Sequence, residues 1–218
     1  NDGRPGQVVE FYVEAFDGHH ARTWPAPAQL SEDPADLGQV TNALLAIDDT
    51  FDPDTAWDPE SQPLYYLVMT DAERDELRDI GLRDSDGDHL SDAQFNATFI
   101  SLDGTDAESR YNTGVRNRGK GSRNSPPNNY RVNFVHDRPW EGVTEININS
   151  KYAHNQTVGS AVFRMAGIPA AASTSVQVRV NTEDLAATGS TMYGSYAHLE
   201  PLGGDFIDGM FPDDNDGN

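Results

Sequence analysis

The chain contains no cysteine. That excludes disulfide staples, thiolate metal sites and a cysteine nucleophile, and it leaves the redox compartment open. Positive charge is also scarce: 15 lysines and arginines stand against 36 aspartates and glutamates in 218 residues, for a formal net charge of -21. Such acidity argues against general nucleic-acid binding and against anionic membrane surfaces. No apolar run approaches the roughly 18 residues needed to cross a bilayer. The opening segment Asn1 to Gln7 lacks the charged-then-apolar pattern of a signal peptide. His19, His20, His89, His136, His154 and His198 show no metal spacing such as H-E-x-x-H, and Ser122, Ser160 and Ser195 lack the G-x-S-x-G context of a hydrolase nucleophile. With 36% hydrophobic residues and a mean hydropathy of -0.65, the composition still suits a folded protein with polar surfaces.

Against this acidic background, seven of the 15 cationic residues fall between Arg110 and Arg138: Arg110, Arg116, Arg118, Lys120, Arg123, Arg131 and Arg138. The core of the run, GVRNRGKGSR, combines guanidinium forks, glycine backbone and the Ser122 hydroxyl, which are the donors phosphate oxygens accept. Gly114, Gly119 and Lys120 match the G-x-x-x-x-G-K spacing of a Walker loop. Gly121 then occupies the Ser/Thr position that should hold Mg²⁺, and the following Asn-Ser-Pro-Pro-Asn-Asn run opposes the helix such a loop must open. The Walker motif is therefore rejected. Tyr111 to Arg118 and Tyr130 to Val135 read instead as extended segments, with Tyr130, Val132 and Phe134 alternating with Arg131 and Asn133, so the expected unit is a β-hairpin with a glycine-rich tip. Its cations either hold an anion or are solvated and paired with nearby carboxylates.

Composition shifts divide the chain. Residues 1–28 read as the last hairpin of an immunoglobulin- or fibronectin-like β-sandwich, from the alternation in VVEFYVEAF and the turn residues Asp17 and Gly18. Residues 29–62 form an acidic, proline-rich connector with one apolar segment, Val40 to Ile47. The remaining unit spans 63–218. Within it Thr70 and Glu73 make a capping box ahead of a helix over 71–80, and a second helix is expected over 152–165, ended by Gly167 and Pro169. Asp84, Asp86, Asp88 and Asp92 lie in DSDGDHLSD, where alternate carboxylates around a glycine either converge on Ca²⁺ or form a solvated acidic turn. Phe95 at the twelfth position departs from an EF-hand.

From about Gln62 onward, five ordered segments carry a resemblance: FNATFISLDG, GVRNRGKGSR with NNYRVNF, WEGVTEININS, a helix ending FRMAGIP before SVQVRVN, and MYGSYAHLEPLGGDFIDGMF. Together they resemble the first part of the CotH family, spore-coat-type atypical protein kinases that also occur in large bacterial surface proteins. The resemblance implies an α+β fold: a kinase-like N-terminal lobe with a twisted, mainly antiparallel sheet and two helices. It implies transfer of the ATP γ-phosphoryl group to Ser or Thr of an unidentified protein substrate, with Mg or Mn, at the cell surface or outside the cell, with any signal peptide and the catalytic aspartates outside this sequence. Arg116, Arg118, Gly119, Lys120, Gly121, Ser122, Arg123 and Arg131 become the phosphate-binding candidates. Glu200 either receives adenine or ribose hydrogen bonds or caps the following turn. Asn128 and Asn129 stand where many members carry Lys and Ser, and Arg131 is the candidate replacement. The reading from another class is a non-catalytic extracellular binding or structural module. No nucleic-acid partner and no membrane insertion are expected of these residues.

Overall fold

The computed structural model describes residues 4–48, 62–80, 91–104, 106–119, 121–123, 126–187 and 194–213. Among these residues there are thirteen strands and three short helices. The N-terminal part holds β1 (Val8–Phe11), β2 (Val13–Phe16), β3 (Ala21–Trp24), β4 (Ala28–Gln29), β5 (Leu37–Gly38) and β6 (Ala43–Ala46). The larger unit holds β7 (Leu64–Val68), α1 (Asp71–Asp79), β8 (Phe95–Leu102), β9 (Ala107–Asn117), β10 (Tyr130–Asn133), β11 (Glu145–Asn149), α2 (Ala153–Met165), β12 (Ser173–Val180), β13 (Tyr196–Leu199) and α3 (Gly204–Met210).

The α+β kinase-like lobe expected from the sequence is not what forms. The protein is mostly β, and its centre is a closed barrel in the order β10-β11-β13-β12-β7-β8-β9. All its pairings are antiparallel except β12 with β7, which run parallel in the register Gln177↔Leu64 to Val180↔Leu67. That one pairing turns a curved sheet into a barrel, because it joins strands more than a hundred residues apart. Asn181 seals the seam. Its side-chain amide imitates a strand residue, accepting from the Met69 N–H at 2.8 Å and donating to the Met69 carbonyl at 2.8 Å, while its own backbone N–H reaches the Leu67 carbonyl at 3.0 Å. Strand periodicity says which residues share a face and nothing about which distant strand supplies the last ladder, so closure is invisible to it.

Alternation fills the interior. Leu67, Ala97, Phe99, Val115, Val132, Ile146, Ile148, Val176, Val178 and Tyr196 are buried and inward-facing. One end carries a ring of edge-to-face aromatics: Tyr65 with Phe99 and with Trp140, and Phe99 with Phe134, at centroid separations of 5.1 to 5.5 Å. The Trp140 indole N–H satisfies itself on Ser101 Oγ at 2.8 Å. Leu77 of α1 packs into the same core.

The two sequence-read helices form nearly where expected. In α1 the Thr70 hydroxyl accepts from the Glu73 N–H at 3.2 Å and donates to the Glu73 carboxylate at 2.9 Å. Helix α2 stops at Gly167, whose φ of +75° suits a residue without a Cβ, and the Ile168 N–H returns to the Phe163 carbonyl at 2.9 Å. It packs on β12 and β13. Of the N-terminal strands, β2 and β3 pair as the expected hairpin. β1 pairs with β6, which lies on the barrel through Thr98 Oγ1 donating to the Leu44 carbonyl at 2.7 Å.

Candidate functional site

The basic run does form a hairpin, and the barrel decides which way its side chains point. Across β9 and β10, Tyr130 pairs with Asn117, Arg131 with Arg116 and Val132 with Val115. Tyr130, Val132 and Val115 are buried in the core. Arg116 and Arg131 alternate with them, so they face outward. Arg118 follows two residues after Arg116 on the same side, and its N–H extends the ladder to the Asn129 carbonyl at 2.9 Å. On β11, Asn147 lies opposite Arg131. Asn149 follows on the same face.

Three guanidiniums thus share one patch of outer wall, although like charges opposed on neighbouring strands are destabilising. The consequence is visible in their proton affinities. Arg118 is held below its ordinary pKa by burial and then by Arg131 and Arg116; Arg131 is lowered by burial and then by Arg116. Arg116 is paired with Asp92 at 3.1 Å, and Arg131 is paired with Glu145. Arg118 differs. Its hydrogen-bond partner is the neutral Asn149 Oδ1, and among the described residues no carboxylate lies within ion-pair distance of it. Asn149 in turn donates to Gln156 Oε1 at 2.6 Å, which ties the patch to the first turn of α2. Beside it, Asn147 is 5% exposed, and its side-chain oxygen is buried without a hydrogen-bond partner among the described residues.

The glycine-rich loop is built to hold this wall in place. Gly119 has φ of +92°, and a Cβ there would collide with Ser122 Oγ. The Ser122 hydroxyl accepts from Asn129 Nδ2 at 2.9 Å, and Asn129 Oδ1 accepts from the Ser150 N–H at 2.8 Å, so the loop is joined to the end of β11. Arg123 is 6% exposed and turned inward. Its guanidinium donates to the carbonyls of Gly119 at 2.6 Å and Ser91 at 2.7 Å and to the Asp92 carboxylate, so it clamps the loop's two sides. Gly121 is exposed at the tip.

The sequence candidates therefore separate into groups. Arg116, Arg118 and Arg131 come together on the wall, Gly119, Ser122 and Arg123 support it, and Lys120 lies outside the described residues. Asp84, Asp86 and Asp88 also lie outside them. Asp92 binds Arg116 and Arg123, and the Arg123 hydrogen bond holds its carboxyl below the usual carboxylate range. Glu200 sits away from the patch, at the aromatic end of the barrel, where its carboxylate accepts from the Ala172 N–H at 2.9 Å and its own N–H reaches the Ala172 carbonyl at 2.9 Å. Asn147, Asn149 and Gln156 escaped sequence reasoning. The signal was present in E-I-N-I-N, a two-residue period whose polar members must all lie opposite buried isoleucines.

A scan of protein-family models finds no match to the chain, and a search of curated proteins finds no relative.

Proposed function

We propose that the outer wall formed by β9, β10 and β11 holds the phosphate groups of a nucleoside triphosphate, and that the chain is the nucleotide-binding part of an ATP-dependent phosphotransferase acting on Ser or Thr hydroxyls, as the CotH resemblance implies. The observation that carries this reading is Arg118. It is a half-buried guanidinium beside two others, with a neutral asparagine for a partner, in a chain of net charge -21. Bringing three cations together costs free energy in the empty protein, and a polyanion offsets that cost on binding.

The donor set fits phosphate chemistry. Among the described residues the Arg118 guanidinium fork is not committed to a carboxylate, while Arg116 and Arg131 add charge and can exchange their exposed or partly exposed carboxylates for phosphate oxygens. Phosphoryl transfer needs positioning and charge neutralisation above all, and these residues perform both. The bound nucleotide supplies the transferable group. The role does not depend on a kinase-like lobe, because the barrel wall presents the same three side chains from rigid, paired strands.

Calorimetric titration of ATP, with inorganic triphosphate in a parallel arm, tests the reading. Arg118→Ala is expected to weaken both by about tenfold, the loss of one charge-assisted hydrogen bond. Equal affinity in wild type and in Arg116→Ala, Arg118→Ala and Arg131→Ala would overturn it.

A further inference from the structure

The aromatic end of the barrel opens into a cavity of about 420 Å³, within the size range of small-molecule sites. Its floor is apolar: Tyr65 and Trp140, each only 3% exposed, line it beside His198, Val143 and Ile146. Its ionisable rim has one sign. Asp103, Glu141, Glu145 and Glu200 contribute carboxylates, and among the described residues no lysine or arginine lines it. His198 does not supply the missing charge, because burial keeps its imidazole neutral, with Nδ1 3.0 Å from the Tyr65 hydroxyl. The field is felt at Glu141, whose carboxyl is pushed up by burial and then by Asp103 and Glu108. Three of the rim carboxylates are anchored, Glu145 by Arg131, Glu200 by the Ala172 N–H at 2.9 Å and Asp103 by the Asp106 N–H at 3.1 Å, so the rim is held in place before anything enters.

We propose that this cavity binds an organic cation, a guanidinium or alkylammonium group, between its apolar floor and its carboxylate rim. A carboxylate supplies two acceptor oxygens in the geometry of a guanidinium fork, and the apolar floor receives the alkyl part of the cation. A phosphate group would meet only like charge there. The cavity is thus a second site, opposite in preference to the basic wall; the two share the Arg131–Glu145 pair, while Asp103, Glu141 and Glu200 stay at the cavity whether or not Arg131 engages a phosphate. The cation comes either as a free small molecule or as the side chain of an arginine or lysine in another protein.

Butylguanidine and its uncharged isostere butylurea separate the chemistry from mere filling of space. Binding is read by calorimetry and by tryptophan fluorescence, with Trp140→Phe reporting whether the optical signal arises in the cavity. Butylguanidine is expected to bind and butylurea to bind at least about tenfold more weakly, with Glu141→Gln and Asp103→Asn each removing much of the difference while melting stays as in wild type. An acetylated Gly-Arg-Gly amide forms the second arm: tighter binding than butylguanidine assigns the site to protein side chains, and equal or weaker binding assigns it to small cations. Equal affinity for the guanidine and the urea, undetectable binding of both at millimolar concentration, or affinities unchanged in both carboxylate variants would overturn the proposal.

Discussion

The basic wall and the acidic mouth of the barrel meet at one ion pair, Arg131 with Glu145, and otherwise share nothing in charge. On the wall, Arg116, Arg118 and Arg131 stand together with neutral amides filling the gaps. At the mouth, four carboxylates surround aromatic rings and a neutral imidazole. Strand β11 carries both: Glu145 lies at the mouth, and Asn147 and Asn149 lie at the wall. The difference teaches that overall acidity does not set local preference. A chain of net charge -21 still presents a cationic patch where the strand period places its arginines on one face, and among the described residues Arg131 is the one guanidinium of the wall that pairs with a carboxylate of the mouth.

Breaking the shared scaffold removes both regions at once. Phe99 is fully buried and touches Tyr65, Phe134 and Trp140. Phe99→Ala is expected to destabilise the barrel by about 3–5 kcal/mol, read from chemical denaturation, and to abolish ligand binding at the wall and the mouth together. Loss of one without the other would show that the two regions do not depend on one fold.

The mouth alone is sharpened by pH. Burial lowers the His198 pKa from its ordinary 6.5 to about 4, so the unfolded chain binds a proton in that interval that the folded chain refuses. Stability is therefore fully present above about 6.5, falls as pH drops towards 4, and has lost the whole contribution below it. The ceiling is about 3 kcal/mol. His198→Gln should flatten that part of the stability profile, and an unchanged slope between pH 4 and 6.5 would mean that the imidazole is charged at the mouth.

Within the wall, the comparison narrows to two arginines five positions apart. Arg123→Met removes donors from two backbone carbonyls and is expected to cost about 1–3 kcal/mol of stability. Arg118→Met removes a repelled cation and should leave the melting temperature unchanged or raise it. A matching loss in both would contradict the division into clamp and ligand-binding residue. The smallest effect is expected at Asp92, whose side chain is largely exposed. Asp92→Asn should cost under about 1 kcal/mol, and if the acidic segment before it binds Ca²⁺, melting in CaCl₂ should shift less in this variant than in wild type.

Local structure was legible where a local rule governs it. The Thr70 cap, the Gly167 stop, the hairpin of the basic run and the alternation of Arg131 with Tyr130 and Val132 all follow from spacing within a few residues. Closure was not legible, because it depends on β7 meeting β12 and on Asn181 standing in for a strand residue. The family resemblance led to a kinase-like α+β lobe with a twisted, mainly antiparallel sheet, and the structure instead closes a mostly β barrel through the parallel seam. Arg123 shows the same limit at the scale of one side chain. Charge and neighbours group it with Arg118, and only the position of Ser91 and Asp92 across the loop reveals that its donors are already engaged. The mouth was hidden for the same reason, since Asp103, Glu141 and Glu200 are separated along the chain by tens of residues.

Phosphorus NMR of ATP, recorded with wild type and with Arg118→Met after circular dichroism has shown both to be folded, tests the wall most directly. The expected result is that the phosphate resonances shift and broaden with wild type and return towards their free positions with the variant, while the melting temperature of the variant does not fall. Identical spectra with the two proteins, or no change from free ATP with either, would contradict the assignment of the wall as a phosphate site.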